Sequence, residues 1–342
     1  MFVLLPLCSC EKPQKAYTDE MFALDTIIRF TLYDEDEKLC KDTVDKCKEE
    51  ITRLENLLSI SKYTSDVYKL NNSGEEAVWL SEETASLISQ ACDISKSCDG
   101  AFDISVKPLM TLWGFDTKEY KVPSDSDIEK ILPLVSYENI KVNGDIVSKQ
   151  EDMSVDLGGI AKGYVADKVS EIIRNSGVSS ALINLGGMIA TVGTSSSSDK
   201  DYWRVGVEHP KENEAYFFTF DMNEACVSTT GAYQRYFEED SVIYHHIIDP
   251  YTGKPVESDF SSVTVVGDKG VRCDALSTAF YVMGLEKTTQ YINENFEDEL
   301  KNYTVIILSN DMKTLYLSEN FKNDNTGHKL EKAFDDIEIV YI

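Results

Sequence analysis

The chain has 342 residues, enough for one large domain or two ordinary ones, and its 42% apolar content is that of a globular protein. Lys and Arg total 33 against 60 Asp and Glu, a formal net charge of −27 that repels phosphate backbones and argues against nucleic-acid binding. An anionic ligand would therefore have to be held by local devices: a lysine, backbone amides or a bound cation.

The first ten residues, M-F-V-L-L-P-L-C-S-C, form a short apolar run. Leu7-Cys8-Ser9-Cys10 matches a bacterial lipobox, and the chain turns polar directly after Cys10, as a tether does. The run is short for a signal core and lacks a basic start, so the expectation is a start codon further upstream and a lipid on Cys10. The six remaining cysteines show neither zinc spacing nor a disulfide framework.

Ile28, Phe30 and Leu32 alternate with polar residues and predict a half-buried strand. An apolar stripe at Val44, Cys47, Ile51, Leu54 and Leu58 predicts an amphipathic helix over about 39–58. A polar loop with Tyr63 and Ser65 and a turn over 70–74 follow. Ser81 is placed to cap a second helix that Gly100 ends. Gly100 to Phe115 is rich in aromatics: Phe102, Trp113 and Phe115 suit either a plain core or the flanks of a flat ring. A short helix over 123–134 and a hairpin over 140–147, with Asn143-Gly144 at its turn, come next.

Val155 to Asp167 reads V-D-L-G-G-I-A-K-G-Y-V-A-D: a short strand ending at Leu157, a glycine pair, then a helix to about 175–177. Free N–H groups at a helix start make an anion site, here flanked by Asp156 and Lys162. The spacing is neither a dinucleotide fingerprint nor a phosphate loop, and such a turn alone is more often structural. A strand over 181–185 runs into the pair Gly186-Gly187, and 195–199 is a polar loop. Strands are expected near 202–207, 216–222, 261–266, 303–308, 314–317 and 337–341, with a helix over about 274–296. Strands run in groups between long helices, which makes the class α+β, with mixed or antiparallel sheets and flanking helices.

Three later segments carry chemistry. Ser228-Thr229-Thr230-Gly231 is a hydroxyl cluster entering a turn. His246 precedes the Asp249-Pro250 turn, where a histidine is either structural or well placed as a general base. Asp274 and Thr278 lie four apart on a helix, so their oxygens face one way. That pair suits either a hard cation such as Mg²⁺ or a helix-start Asp beside a buried threonine.

As an ordered set, M-F-A-L-D-T from Met21, the S-x-Y ending at Tyr63, G-A-F-D-I-S-V-K-P-L-M-T-L-W-G-F, V-D-L-G-G-I-A-K-G-Y-V-A-D, I-N-L-G-G, S-T-T-G-A-Y, H-I-I-D-P-Y-T-G-K-P-V and D-A-L-S-T resemble the ApbE family, the FAD:protein FMN transferases. The resemblance spans roughly residues 20–320. It implies one large flavin transferase domain over 21–342 behind a lipoprotein signal and tether over 1–20. It implies FAD as substrate, with Mg²⁺ at its diphosphate held by Asp274, Thr278 and the carbonyl of Gly159. Met21, Tyr63, the turn Gly100, Ala101, Phe102 and Asp103, and then Asp156, Lys162 and Ile248 would line the flavin and adenosine sites. His246 would activate the acceptor hydroxyl. Phe22 and Ala23 depart from the more usual Met-Gly-Thr.

The implied partner is a flavoprotein with the motif Asp-x-x-(Ser/Thr)-Gly-Ala-(Ser/Thr), modified outside the cell by an enzyme lipid-anchored to the bacterial membrane through Cys10. Two other functions fit the same residues: a Mg²⁺-dependent FAD pyrophosphatase giving FMN and AMP, and a flavin-binding lipoprotein without turnover. Thr230-Gly231-Ala232 faintly matches the acceptor motif, but Val227 and Tyr233 break it, so no self-flavinylation is expected.

Overall fold

The computed structural model describes residues 15–195, 202–211, 215–295, 300–323, 327–331, 334 and 336–342. The lipobox with Cys8 and Cys10, and most of the 195–199 loop, lie outside the described residues.

In chain order, β1 (Ala16–Ala23) and β2 (Thr26–Tyr33) form a hairpin, followed by α1 (Glu37–Leu58), α2 (Asp66–Asn71), β3 (Val78–Trp79), α3 (Glu82–Ser97), α4 (Lys107–Leu112) and α5 (Asp125–Ile131). Next come the hairpin of β4 (Lys141–Asn143) and β5 (Ile146–Ser148), α6 (Gly158–Ser176), β6 (Ser180–Leu185) and β7 (Met188–Val192). Then follow β8 (Trp203–Glu208), β9 (Tyr216–Met222), β10 (Cys226–Gly231), the hairpin of β11 (Tyr236–Glu239) and β12 (Val242–His245), and β13 (Phe260–Gly267). The chain closes with α7 (Gly270–Asn295), β14 (Thr304–Ser309), β15 (Thr314–Leu317), α8 (Asn320–Asn323), β16 (Lys329–Leu330) and β17 (Glu338–Tyr341).

Nine strands make one sheet in the order β1-β2-β6-β7-β10-β13-β14-β15-β17, antiparallel except for the last pair. Helices α1, α6 and α7 pack on one another and on this sheet. The other face meets the small sheet β16-β9-β8 through a second core around Trp203, Phe218 and Phe220. Strand β14 shows why its sequence reads as an unbroken apolar run: Val305 and Ile307 enter the helix-side core, while Ile306 and Leu308 enter the other. Side chains alternate across a strand, so a sheet covered on both faces loses its polar alternation.

Local signals set the helix ends. Ser81 Oγ accepts from the Thr84 N–H at 3.2 Å, and the Gly100 N–H returns to the Ser95 carbonyl. The predicted stripe of α1 is buried along its length. A third core of Leu109, Trp113, Phe115, Ile128 and Ile248 lies under α4, α5 and the β11–β12 hairpin, and Trp113 Nε1 donates to the Gly253 carbonyl at 2.8 Å. Trp113 and Phe115 are therefore core residues. All six described cysteines are free thiols.

Three expectations need correction, and one element lies outside them. Val155–Leu157 is not a strand, because it pairs with no ladder, and the glycine pair forms the first turn of α6 rather than a loop before it. Ser228–Gly231 lies inside β10, because Cys226–Gly231 pairs along β13. Helix α7 begins at Gly270, four residues before Asp274, and is kinked at Gly284. The hairpin over 236–245 has no strong apolar alternation and went unpredicted.

Candidate active site

The α6 start, the α7 flank, β10 and the segment after β12 enclose a cleft of about 710 Å³. The β1–β2 turn, the end of α1 and residues 101–110 complete its walls. A separate hollow of about 480 Å³, beside Lys15–Thr18 and Asp34–Glu37, shares no residue with it and has no comparable set of converging groups.

Helices α6 and α7 meet at two glycines. A Cβ on Gly163 would stand 2.1 Å from the Gly270 carbonyl oxygen and 2.8 Å from Asp274 Cβ, so only glycine permits this crossing. Asp167, one turn further along α6, accepts from the Gly270 and Val271 N–H groups at 2.7 and 3.0 Å and so caps the start of α7. Asp274 reaches back: its Oδ2 accepts from the Gly163 N–H at 2.9 Å and its Oδ1 from Ser228 Oγ at 3.1 Å. In a regular helix the Gly163 N–H belongs to the Gly159 carbonyl. Asp274 Oδ2 approaches the same proton from the α7 side, beside the first turns of α6. Thr278, one turn on from Asp274, has its Oγ1 3.3 Å from Thr230 Oγ1, which also bonds Ser277 Oγ at 2.9 Å. The Asp274 carboxylate and the hydroxyls of Ser228, Thr230, Ser277 and Thr278 thus converge at the α6–α7–β10 junction.

Across the cleft, His246 follows β12. Its backbone N–H and its Nδ1 both lie on the Arg235 carbonyl, at 3.1 and 3.0 Å. A carbonyl only accepts, so Nδ1 carries the proton and Nε2 is the open, basic nitrogen. Burial pushes the imidazole down to about 4; the Arg235 carbonyl opposes this, while the charges of Arg235 and Lys162 add to it. The ring is neutral at pH 7 and can take a proton. The neighbouring His245 is committed elsewhere, with Nε2 on the Val256 carbonyl and Nδ1 accepting from the Ile247 N–H.

Of the expected site residues, Ala101, Phe102, Asp103, Asp156, Gly159, Lys162, His246, Ile248, Asp274 and Thr278 line the cleft. Three do not. Met21 sits on β1 and packs against the main core, Tyr63 is 78% exposed on the loop after α1, and Gly100 ends α3 beside the Tyr137 and Tyr251 side chains. The β1–β2 turn reaches the cleft instead, through Leu24, Asp25 and Thr26.

Two carboxylates are already engaged. Asp103 accepts from the Ser105 N–H and hydroxyl and from the Tyr137 N–H, with burial raising its pKa against those bonds. Asp156 Oδ1 accepts from the Gly158 N–H at 2.8 Å, occupying part of the helix start that the sequence offers as an anion site. Arg235, Gln234 and Glu55 also line the cleft and carry no sequence signal, while Thr229 and Met110 join it from the hydroxyl cluster and the aromatic-rich stretch. The one available signal is that Arg235 directly follows S-T-T-G-A-Y-Q.

A family model described as the ApbE family matches residues 24–303. A FAD:protein FMN transferase of Klebsiella pneumoniae (strain 342) is 32% identical over 278 residues, covering 80% of this chain and 84% of the relative. The FAD:protein FMN transferase of Escherichia coli (strain K12) is 29% identical over 295 residues, covering 82% and 84%. Among solved structures, the ApbE protein of Thermotoga maritima matches with a TM-score of 0.82 at 31% identity, over 90% of this chain and 99% of that one. The apo flavinyl transferase ApbE of Pseudomonas stutzeri matches with a TM-score of 0.75 at 25% identity, over 95% and 97%.

Proposed function

The chain belongs to the ApbE family, and we propose that it is a Mg²⁺-dependent FAD:protein FMN transferase. FAD is the donor, a Ser or Thr hydroxyl of a flavoprotein is the acceptor, and AMP leaves. One feature supports this most: a single cleft holds a neutral imidazole with an open nitrogen, two cations in Lys162 and Arg235, and an oxygen set on α6 and α7. Phosphoryl chemistry needs charge stabilisation and a base more than covalent help from the protein.

The acceptor oxygen bonds the FMN phosphorus, and the P–O bond to the AMP phosphate breaks with its electron pair on AMP. The hydroxyl proton goes to Nε2 of His246 and from there to solvent. Lys162 draws the anionic donor into an otherwise acidic protein. The donor set of Asp274, Thr278 and the Gly159 carbonyl is all oxygen, as a hard divalent cation requires. Among the described residues no group of three or more His, Cys, Asp or Glu could hold a metal, so diphosphate oxygens and water would complete the shell. Mg²⁺ held there by Asp274 and Thr278 would supply charge stabilisation to the diphosphate. Of the remaining expected contacts, Ala101, Phe102, Asp156 and Ile248 would line the flavin and adenosine sites.

Residues 21–342 form the transferase domain in this proposal. The mature chain is extracytoplasmic, tethered by lipid on Cys10, and its acceptor carries Asp-x-x-(Ser/Thr)-Gly-Ala-(Ser/Thr). No described helix is long and apolar enough to cross a membrane. The test incubates purified protein, FAD and Mg²⁺ with a domain bearing that motif. FMN covalently on the acceptor is the expected product. Free FMN and AMP regardless of acceptor would make the protein a pyrophosphatase, and intact bound FAD would make it a flavin carrier.

A further inference from the structure

The cleft contains a cation that neither the sequence motifs nor the comparisons assign. Arg29, Arg53, Arg174 and Arg204 each pair with a carboxylate, as expected in so acidic a chain. Arg235 pairs with none among the described residues, and lines the cleft half-buried. Its guanidinium carbon lies 5.9 Å from the centre of the Phe115 ring, and the His246 ring centre lies 6.5 Å from the same ring. Phe115 is fully buried in the third core and gives both groups one rigid support. Arg235 thus serves the site twice: its carbonyl fixes the His246 tautomer, and its side chain sets a positive charge beside that imidazole.

Resting on the transferase reading, we propose that Arg235 is a catalytic cation that binds the non-bridging oxygens of the phosphoryl group under attack. A base within hydrogen-bond reach of the acceptor hydroxyl brings that oxygen next to the phosphorus. The phosphoryl oxygens then lie beside His246, where the guanidinium stands. Lys162 on α6 reaches the same anion from the other wall, and Asp274 with Thr278 serve the leaving side. A planar guanidinium matches two phosphoryl oxygens at once, which an ammonium does not.

The test compares Arg235→Met and Arg235→Lys with the parent chain, following covalent FMN transfer and FAD binding by flavin fluorescence. Both variants keep the backbone carbonyl on His246, and the methionine keeps an apolar stem on Phe115. Arg235→Met is expected to lower kcat about 100-fold while FAD affinity stays within about threefold, and Arg235→Lys, which keeps the charge but not the two-pronged geometry, to recover only about tenfold of that loss. Near-parental kcat in Arg235→Met would overturn the proposal. So would equal loss in both variants accompanied by a fall in Tm, which would mark a packing role. A parent chain that neither transfers nor hydrolyses FMN from FAD would instead overturn the transferase reading itself.

Discussion

Two Gly→Ala changes in the first turns of α6 should behave in opposite ways, and the structure supplies the reason. Each gains about 1 kcal/mol of helix propensity. At Gly159 the new methyl would lie 3.0 Å from Phe102 Cε2, the edge of a side-chain ring that can tilt by a few tenths of an ångström. At Gly163 it would lie 2.1 Å from the Gly270 oxygen and 2.4 Å from its carbon, both backbone atoms of a helix held by Asp167. The helices must part by on the order of 1 Å to restore contact distances. Overpacking of this kind costs about 1–3 kcal/mol or more. The same displacement moves Asp274 away from Gly159, and a 1 Å misplacement at a reacting centre costs about 10²-fold in rate.

Gly159→Ala is therefore expected to keep its Tm within about 2 °C and retain most of its transfer activity. Gly163→Ala should lose several degrees, about 10²-fold in kcat, and about tenfold in apparent Mg²⁺ affinity. Thermal melts and Mg²⁺ titrations of FMN transfer measure all three. An unchanged Tm and Mg²⁺ titration in Gly163→Ala would refute the idea that this crossing builds the cation site.

His246→Ala should abolish transfer while FAD still binds, and a variant with parental turnover would remove His246 as the base. In the parent chain the acid limb of kcat/KM should fall near pH 4 rather than near 6.5, because burial disfavours the imidazolium. At pH 5.5 that leaves the base roughly tenfold more available than an unperturbed histidine would be. An acid limb at 6–7 would show another group in control. Asp274→Asn preserves shape, with the amide oxygen on the Gly163 N–H and the amide nitrogen donating to Ser228 Oγ, but removes the charge, so Mg²⁺ activation should disappear with little change in fold, and an unaltered Mg²⁺ response would discard Asp274 as a ligand.

Much of the fold was legible in the sequence wherever one segment carried its own signal. The buried stripe of α1, the Ser81 cap and the Gly100 stop needed only the helical period and local hydrogen bonds. The composition bounded the ligand problem, and the ordered motifs indicated the family. They also named ten residues that share one cleft, because strand ends, glycine turns and helix starts are where a backbone can approach a ligand.

The tertiary structure decided which groups are free to act. Asp103 and Asp156 carry carboxylates in the right place, yet both bond neighbouring N–H groups. Met21, Tyr63 and Gly100 match the motifs but stand off the cleft, since a motif fixes residue type and not the direction in which its segment leaves the core. The glycine in Val155–Asp167 with the tightest demand is Gly163, whose partner Gly270 is over a hundred residues away. Arg235 gained its place only when an unpredicted hairpin set its carbonyl on His246. Period and spacing report contacts within one element. Who shares a proton, a ring or a crossing between elements is set by long-range packing, which no single stretch encodes.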